Sequence, residues 1–98
     1  MQIISRRKLR NFWEDGHADA EAPLKAWHAD ARVAKWTRMM DIKARYASAS
    51  IIDNERVVFN LSGNKYRLVV KVYFPDQVMF VKFIGTHAEY DKIDVEEL

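Results

Sequence analysis

The chain reads as an α+β domain, an N-terminal αα-hairpin packed on an antiparallel β-meander with a short C-terminal helix. Three observations predict this. Apolar residues recur at helical spacing through the first third, the period switches to two from Ile51, and Thr86 with Glu89 forms a helix-start signature where the last strand ends. Gln2-Ile3-Ile4 suits a short edge strand, and Ser5 suits the N-cap of a helix over residues 6–14. Leu9, Phe12 and Trp13 make its i, i+3, i+4 stripe, and Asp15-Gly16 is a natural stop. Asp19 can cap a second helix that tolerates Pro23 near its first turn and repeats Leu24, Trp27, Ala31 and Ala34 up to about Lys35. Its tryptophan is assigned to the core rather than to ligand stacking, as are Phe12 and Trp13. Asp41 can open one further turn with Ile42, Lys43 and Tyr46, before 47–50 breaks the pattern.

Residues 56–61, 66–74 and 77–86 read as three strands, with turns at 62–65 and Pro75-Asp76. A two-residue loop at Pro75-Asp76 sets Phe74 opposite Gln77, then Val72 with Met79, Val70 with Val81 and Leu68 with Phe83. Leu61, Phe59 and Val57 join that apolar face, which is the surface for the helices.

Ninety-eight residues with 49% hydrophobic content suit a single domain over 1–98 with one core. There is no cysteine, and His17, His28 and His87 form no HxxxH or HxxE pair, so chemistry is sought without a metal or cofactor. No apolar run approaches the roughly 18 residues of a membrane span, so a soluble, cytoplasmic protein is expected. Net charge is only +2, yet residues 1–45 carry ten Lys/Arg against six Asp/Glu and residues 46–98 carry six against eight. Arg6, Arg7, Lys8 and Arg10 crowd one end; Glu89, Asp91, Asp94, Glu96 and Glu97 crowd the other.

Alternation sends Arg56, Val58, Asn60, Arg67, Val69, Lys71, Tyr73, Phe80 and Lys82 to the other side of the meander. Arg56 falls opposite Lys71, Lys71 opposite Phe80, Val69 opposite Lys82 and Asn60 opposite Arg67. No acidic side chain points outward from these strands, so the face favours an anion such as phosphate, which Arg67 can grip bidentately. The bland alternative is that the cations only discourage edge pairing. The last strand delivers the chain to His87, and His87, Tyr90 and Asp91 stack at i, i+3, i+4 on one helical face, so this face and the cationic surface are expected to share one cleft. Cutting RNA without metal requires removing a proton from the 2′-hydroxyl, giving one to the departing 5′-oxygen and stabilising a five-coordinate phosphorus. Those residue types are present. The competing reading leaves His87 a polar first-turn residue and Tyr90 a half-buried anchor.

Gly63-Asn64-Lys65-Tyr66-Arg67-Leu68-Val69 and Phe83-Ile84-Gly85-Thr86-His87-Ala88-Glu89-Tyr90-Asp91-Lys92 carry a resemblance, together with Ile3-Ile4-Ser5, Asp41-Ile42-Lys43-Ala44-Arg45-Tyr46 and Val58-Phe59-Asn60. In this combination, in order along nearly the whole length, the chain resembles HigB-type toxins of the RelE superfamily. The resemblance implies a RelE-like fold and an mRNA interferase acting on messages in a translating ribosome. The implied partners are mRNA and a HigA-like antitoxin with a helix-turn-helix domain, in toxin–antitoxin units that can dimerise. Asn64, Arg67, His87 and Tyr90 fall within the shared motifs, whereas Lys71 and Lys82 rest on the strand register. The roles implied are proton exchange by His87, assistance by Tyr90, and phosphorane stabilisation by Arg67 with Lys71 or Lys82. Lys43, Arg56, Asn60 and Tyr73 are the expected RNA contacts, and Asn64 is assigned first to a left-handed turn position. Two other classes compete: a non-catalytic RNA-binding module using the same cationic and aromatic face, and a protein-interaction domain whose charge polarity serves only its partner.

Overall fold

A computed structural model describes residues 1–98. The elements in chain order are β1 (Gln2–Ile4), α1 (Arg6–Glu14), a 3-10 turn (Ala18–Ala20), α2 (Glu21–Val33), α3 (Met39–Arg45), β2 (Ser50–Ile51), β3 (Arg56–Leu61), β4 (Tyr66–Tyr73), β5 (Val78–Thr86), α4 (His87–Tyr90) and a final 3-10 turn (Val95–Glu97). The five strands form one sheet in the order β1-β5-β4-β3-β2. β1 runs parallel to β5, and the remaining neighbours are antiparallel. The mixed α+β class expected from the periodicity is therefore present.

One face of the sheet is sealed by the helices. Leu9 of α1, Leu24, Trp27 and Ala31 of α2, and Ile42 of α3 share a single buried cluster with Val57, Phe59, Leu68, Val70, Val72, Met79 and Val81. Trp27 meets Phe59 edge-on at 5.4 Å between ring centres, and Tyr46 meets Phe59 at 5.2 Å. The Tyr46 hydroxyl donates to Asp30. Burial, then that hydrogen bond, push its acidity well above the usual phenol range.

Several local expectations are corrected. Ser5 precedes α1 but adopts a left-handed conformation, φ 75°, and its side chain makes no cap hydrogen bond, because one residue must turn β1 directly into the helix. Asp19 does not cap α2; it sits in the preceding 3-10 turn, where its carboxylate accepts from Lys65 and the Tyr66 hydroxyl. Those two hydrogen bonds hold its carboxyl below the ordinary range and raise both partners. Asn64 is not the left-handed residue of the 62–65 turn. Positive φ falls on Ser62 and Gly63, while the Asn64 carbonyl accepts from Arg67 Nη1 at 2.9 Å. β2, not anticipated from the sequence, pairs Ser50 with Val58 and Ile51 with Val57.

The correction that matters most for the site is in the β4–β5 ladder. Arg56 pairs with Lys71, Asn60 with Arg67, Val72 with Met79 and Val70 with Val81, as the alternation requires. Between Val69 and Val70 the register then slips: Val69 faces Phe83 rather than Lys82, and Leu68 faces Ile84 rather than Phe83. One extra residue of β5 is accommodated as a bulge, which transfers Phe83 to the outer face and gives its core position to Ile84.

Candidate functional site

The outer face divides into a covered half and an open half. Val58 and Val69 point away from the helices, lie outside the main core cluster, and are nevertheless only 2% and 0% exposed. The chain after β5 returns across this side. The His87 amide donates to the Lys65 carbonyl at 3.1 Å, the Tyr90 ring lies 6.5 Å from the Phe83 ring, and the main-chain oxygen of Leu98 accepts from Arg56 Nε at 2.9 Å. Ile93, Val95 and Leu98 are each half-buried along that path.

At the head of the returning segment the capping box forms as its sequence requires. The Glu89 amide donates to Thr86 Oγ1 at 3.2 Å, and the Thr86 amide donates to Glu89 Oε1 at 2.8 Å. These contacts with Thr86, the backbone N–H first, hold the Glu89 carboxyl low. The box fixes the first residue of α4, His87, whose Nδ1 lies 3.0 Å from Asp91 Oδ2. With Nδ1–H donated to the carboxylate, Nε2 is the ring nitrogen left without a partner in the chain. Both side chains are more than half exposed, 53% and 58%, so the pair meets solvent. α4 is a single turn, so its dipole adds little positive potential at this corner.

Arg67 sits directly behind this corner, paired with Gly85, two residues before His87. It is 9% exposed, and its Nη1 donates to the carbonyls of Asn64 and Tyr66 at 2.9 and 3.4 Å. Phe83 lies over Gly85, close enough that a Cβ there would meet the ring tip at 2.5 Å.

The open half lies further along the sheet. Lys71, Tyr73, Phe80 and Lys82 line a groove of about 190 Å³, with Tyr73 and Phe80 edge-to-face at 5.7 Å and Lys71 Nζ 5.9 Å from the Tyr73 ring. Along β5, Lys82 is five residues before His87, about 16 Å of strand. Phe80, the partner of Lys71, is seven residues before it, about 23 Å. The single cluster expected from the sequence is thus drawn out into two centres, His87 with Tyr90, Asp91 and Arg67 at one end, and the two lysines with aromatics at the other.

Nor are all the cations free. Acids from the loop ahead of β3 reach them: Glu55 lies 3.4 Å from Lys71, and Asp53 lies 2.8 Å from Arg56 Nη1. The strands themselves point no carboxylate outward, which is why alternation alone overstated the imbalance. Lys43 and Asn60 spend their polar ends on the chain itself, donating to Ala49 O at 2.6 Å and Ser48 O at 3.1 Å.

Sequence reasoning missed a third lining. Lys8, Asn11 and Phe12 of α1, with Asp15 just after it, face Lys82, Phe83 and Ile84 across a groove of about 410 Å³. The only available signal was the doublet Phe83-Ile84, which alternation cannot assign to a face without knowing of the bulge.

These features define a small α+β protein with one sheet face buried by helices and the other presenting lysines, aromatics and a histidine–aspartate pair. The chain belongs to the HigB toxin family, the RelE-like toxic component of a toxin–antitoxin system, whose family model matches residues 20–93. Over 38 residues it is 40% identical to the mRNA interferase toxin HigB of Escherichia coli (strain K12), and equally to proteins named mRNA interferase HigB from Escherichia coli O157:H7 and Shigella flexneri. Each match covers 39% of this chain and 36% of the relative, so the similarity spans about a third of the length of these curated relatives. No helix is long and apolar enough to cross a membrane.

Proposed function

We propose that the chain is an mRNA interferase, an endoribonuclease that cuts messages during translation by metal-independent attack of the 2′-hydroxyl on the adjacent phosphate. The observation that carries this reading is the contact of His87 Nδ1 with Asp91 at 3.0 Å, which holds the ring by one nitrogen and leaves Nε2 for proton exchange. His87 exchanges a proton with the 2′-hydroxyl or with the departing 5′-oxygen, and Tyr90, three residues on along the same turn, assists. The 2′-oxygen bonds to phosphorus as the bond to the 5′-oxygen breaks, so the products carry a 2′,3′-cyclic phosphate and a 5′-hydroxyl. Arg67, paired with Gly85 beside this corner, and Lys82, further back along β5, are the cations proposed to stabilise the phosphorane. Lys71 and Tyr73 then hold the flanking RNA in the open half, Arg56 supports it from the margin beneath Asp53 and Leu98, and Asn60 and Lys43 shape the segment beside β3. The names of the similar proteins support the activity, and the family supports an antitoxin as partner. A HigA-like helix-turn-helix protein, in units that dimerise, is the form proposed, within the cytoplasm.

His87→Ala should lower cleavage by roughly 10² to 10⁴, the usual worth of one proton-transfer group, while antitoxin binding and the melting temperature stay as they were. Mapping message ends after brief induction reads the outcome. Undiminished cleavage by His87→Ala rejects the catalytic role.

A second reading draws on the burial of Arg67 and its donation to two carbonyls, which suit a structural guanidinium. On that reading the sheet binds RNA without cutting it, and no new message ends appear on induction of the unaltered protein.

A further inference from the structure

The cationic face of the sheet is not the only basic surface. On the helical side, Arg6 of α1 and Lys25, His28, Ala29 and Arg32 of α2 line a groove of about 340 Å³. The four α2 positions fall at i, i+3, i+4 and i+7, one stripe of the helix, while Leu24, Trp27 and Ala31 are buried in the core. No carboxylate lines the groove. Of the two acidic residues of α2, Asp30 is engaged away from the groove by Arg45 and Tyr46, while Glu21 pairs with the groove's own Lys25 and leaves Arg6 and Arg32 as its unpaired cations. Arg6 and Arg32 are both exposed and have no carboxylate partner. His28 is partly buried between them; burial, then the charges of Arg6 and Arg32, push its ring below the ordinary value and keep it a neutral hydrogen-bonding group.

We propose that this groove is a second nucleic-acid site, binding the phosphodiester backbone of an RNA on the opposite side of the sheet from the cleavage face. Its chemistry selects the ligand. A protein partner needs an apolar centre, and Ala29 is the sole apolar lining residue, whereas interfaces with nucleic acid are polar, strongly positive and wet. Two arginines with planar forks and a neutral imidazole suit phosphate oxygens. With sites on both sides of the sheet, one chain can hold two RNA segments at once, so that a folded RNA presents the enzyme to a second, single-stranded one.

The test uses the full chain and a 2′-O-methyl RNA hairpin, which lacks the attacking hydroxyl, so the result does not depend on whether the chain cleaves. The double variant Arg6→Gln/Arg32→Gln should weaken binding roughly tenfold near physiological salt, and should lower the slope of log affinity against log salt by about 1.5 to 2, near one for each phosphate no longer neutralised. Lys35→Gln/Arg38→Gln removes the same charge outside the groove and should leave the slope near that of the unaltered protein. Equal losses in the two doubles would mean that net charge alone is at work and would overturn the proposal. So would unchanged affinity in Arg6→Gln/Arg32→Gln, or a loss confined to poly-glutamate, used as the probe for an acidic protein partner. Because both arginines are exposed, an unchanged melting temperature is expected, and the single variant Arg32→Gln gives a milder check on the same slope.

Discussion

The two faces of the sheet are built from the same strands and differ in what closes them. The inner face is sealed by three helices over a continuous run of Val, Leu, Phe and Met. The outer face is closed only over Val58, Val69 and Arg67, by a returning segment rich in acids, and is left open at Lys71, Tyr73, Phe80 and Lys82. The core lies where alternation is strict, and the candidate site residues lie where it is interrupted. The bulge in β5, the single-turn α4 and the loop acids Asp53 and Glu55 all lie on the outer side or at its margin.

Substitutions can break or sharpen that contrast. The largest effect belongs to the inner face: Phe59→Ala removes the ring that both Trp27 and Tyr46 abut, and should cost about 3 to 5 kcal/mol in urea unfolding. A loss below about 1 kcal/mol would deny the inner face its dominant share. Next comes Gly85→Ala, whose added methyl must push the Phe83 ring aside and crowds Glu89 Oε1 at 3.2 Å; we expect about 1 to 3 kcal/mol and a fall in RNA cleavage. Wild-type cleavage in that variant would show that the corner tolerates displacement of the ring. Thr86→Ala deletes half of the capping box and should cost about 0.5 to 2 kcal/mol, with weaker amide protection through α4 in hydrogen exchange and unchanged protection in β3.

The smallest effect is one of pH. The Asp19 carboxyl is lowered by its hydrogen bonds from Lys65 and Tyr66, so its stabilisation is present above the ordinary carboxyl range and is lost as pH falls through the folded value. Lys65 and Tyr66 are raised by Asp19, so their share is present below their ordinary range and is lost as pH rises through the raised values. The difference in melting temperature between the natural chain and Asp19→Asn should therefore be widest between about pH 5 and 9 and narrow toward either extreme. A difference that stays constant from pH 3 to 11 would remove Asp19 as the link between the 3-10 turn and the β3–β4 corner.

Much of the molecule was legible from periodicity and short-range chemistry. Leu9, Leu24, Trp27 and Ile42 face inward as helical spacing requires, Val57 and Phe59 as strand alternation requires, and Thr86 with Glu89 closes the capping box. What was not legible depends on contacts between distant segments. Nothing near Asp19 announces Tyr66, forty-seven residues away, so its position before α2 reads as a cap. Lys71 and Arg56 look unopposed until the loop folds Glu55 and Asp53 beside them. The run Val81-Lys82-Phe83-Ile84 ends in two apolar residues, so it fits either face, and only the ladder decides. Of the candidate residues, His87 stands beside Asp91 as the i, i+4 spacing predicts. The separation of the lysines from that corner follows from strand length, which a count along β5 could have revealed.

The extra residue in β5 also acts as a phase setting for everything downstream. Were the strand to pair without a bulge, Lys82 would stand opposite Val69 and residues 83 to 86 would exchange faces, carrying Phe83 into the interior and Ile84 out. The turn that begins at Thr86 would then leave the sheet on the other side, with the imidazole rotated away from the outer face even though every candidate side chain was still encoded. Deleting Lys82, by contrast, removes the surplus residue and leaves Phe83 opposite Val69, so the corner keeps its phase with one cation fewer.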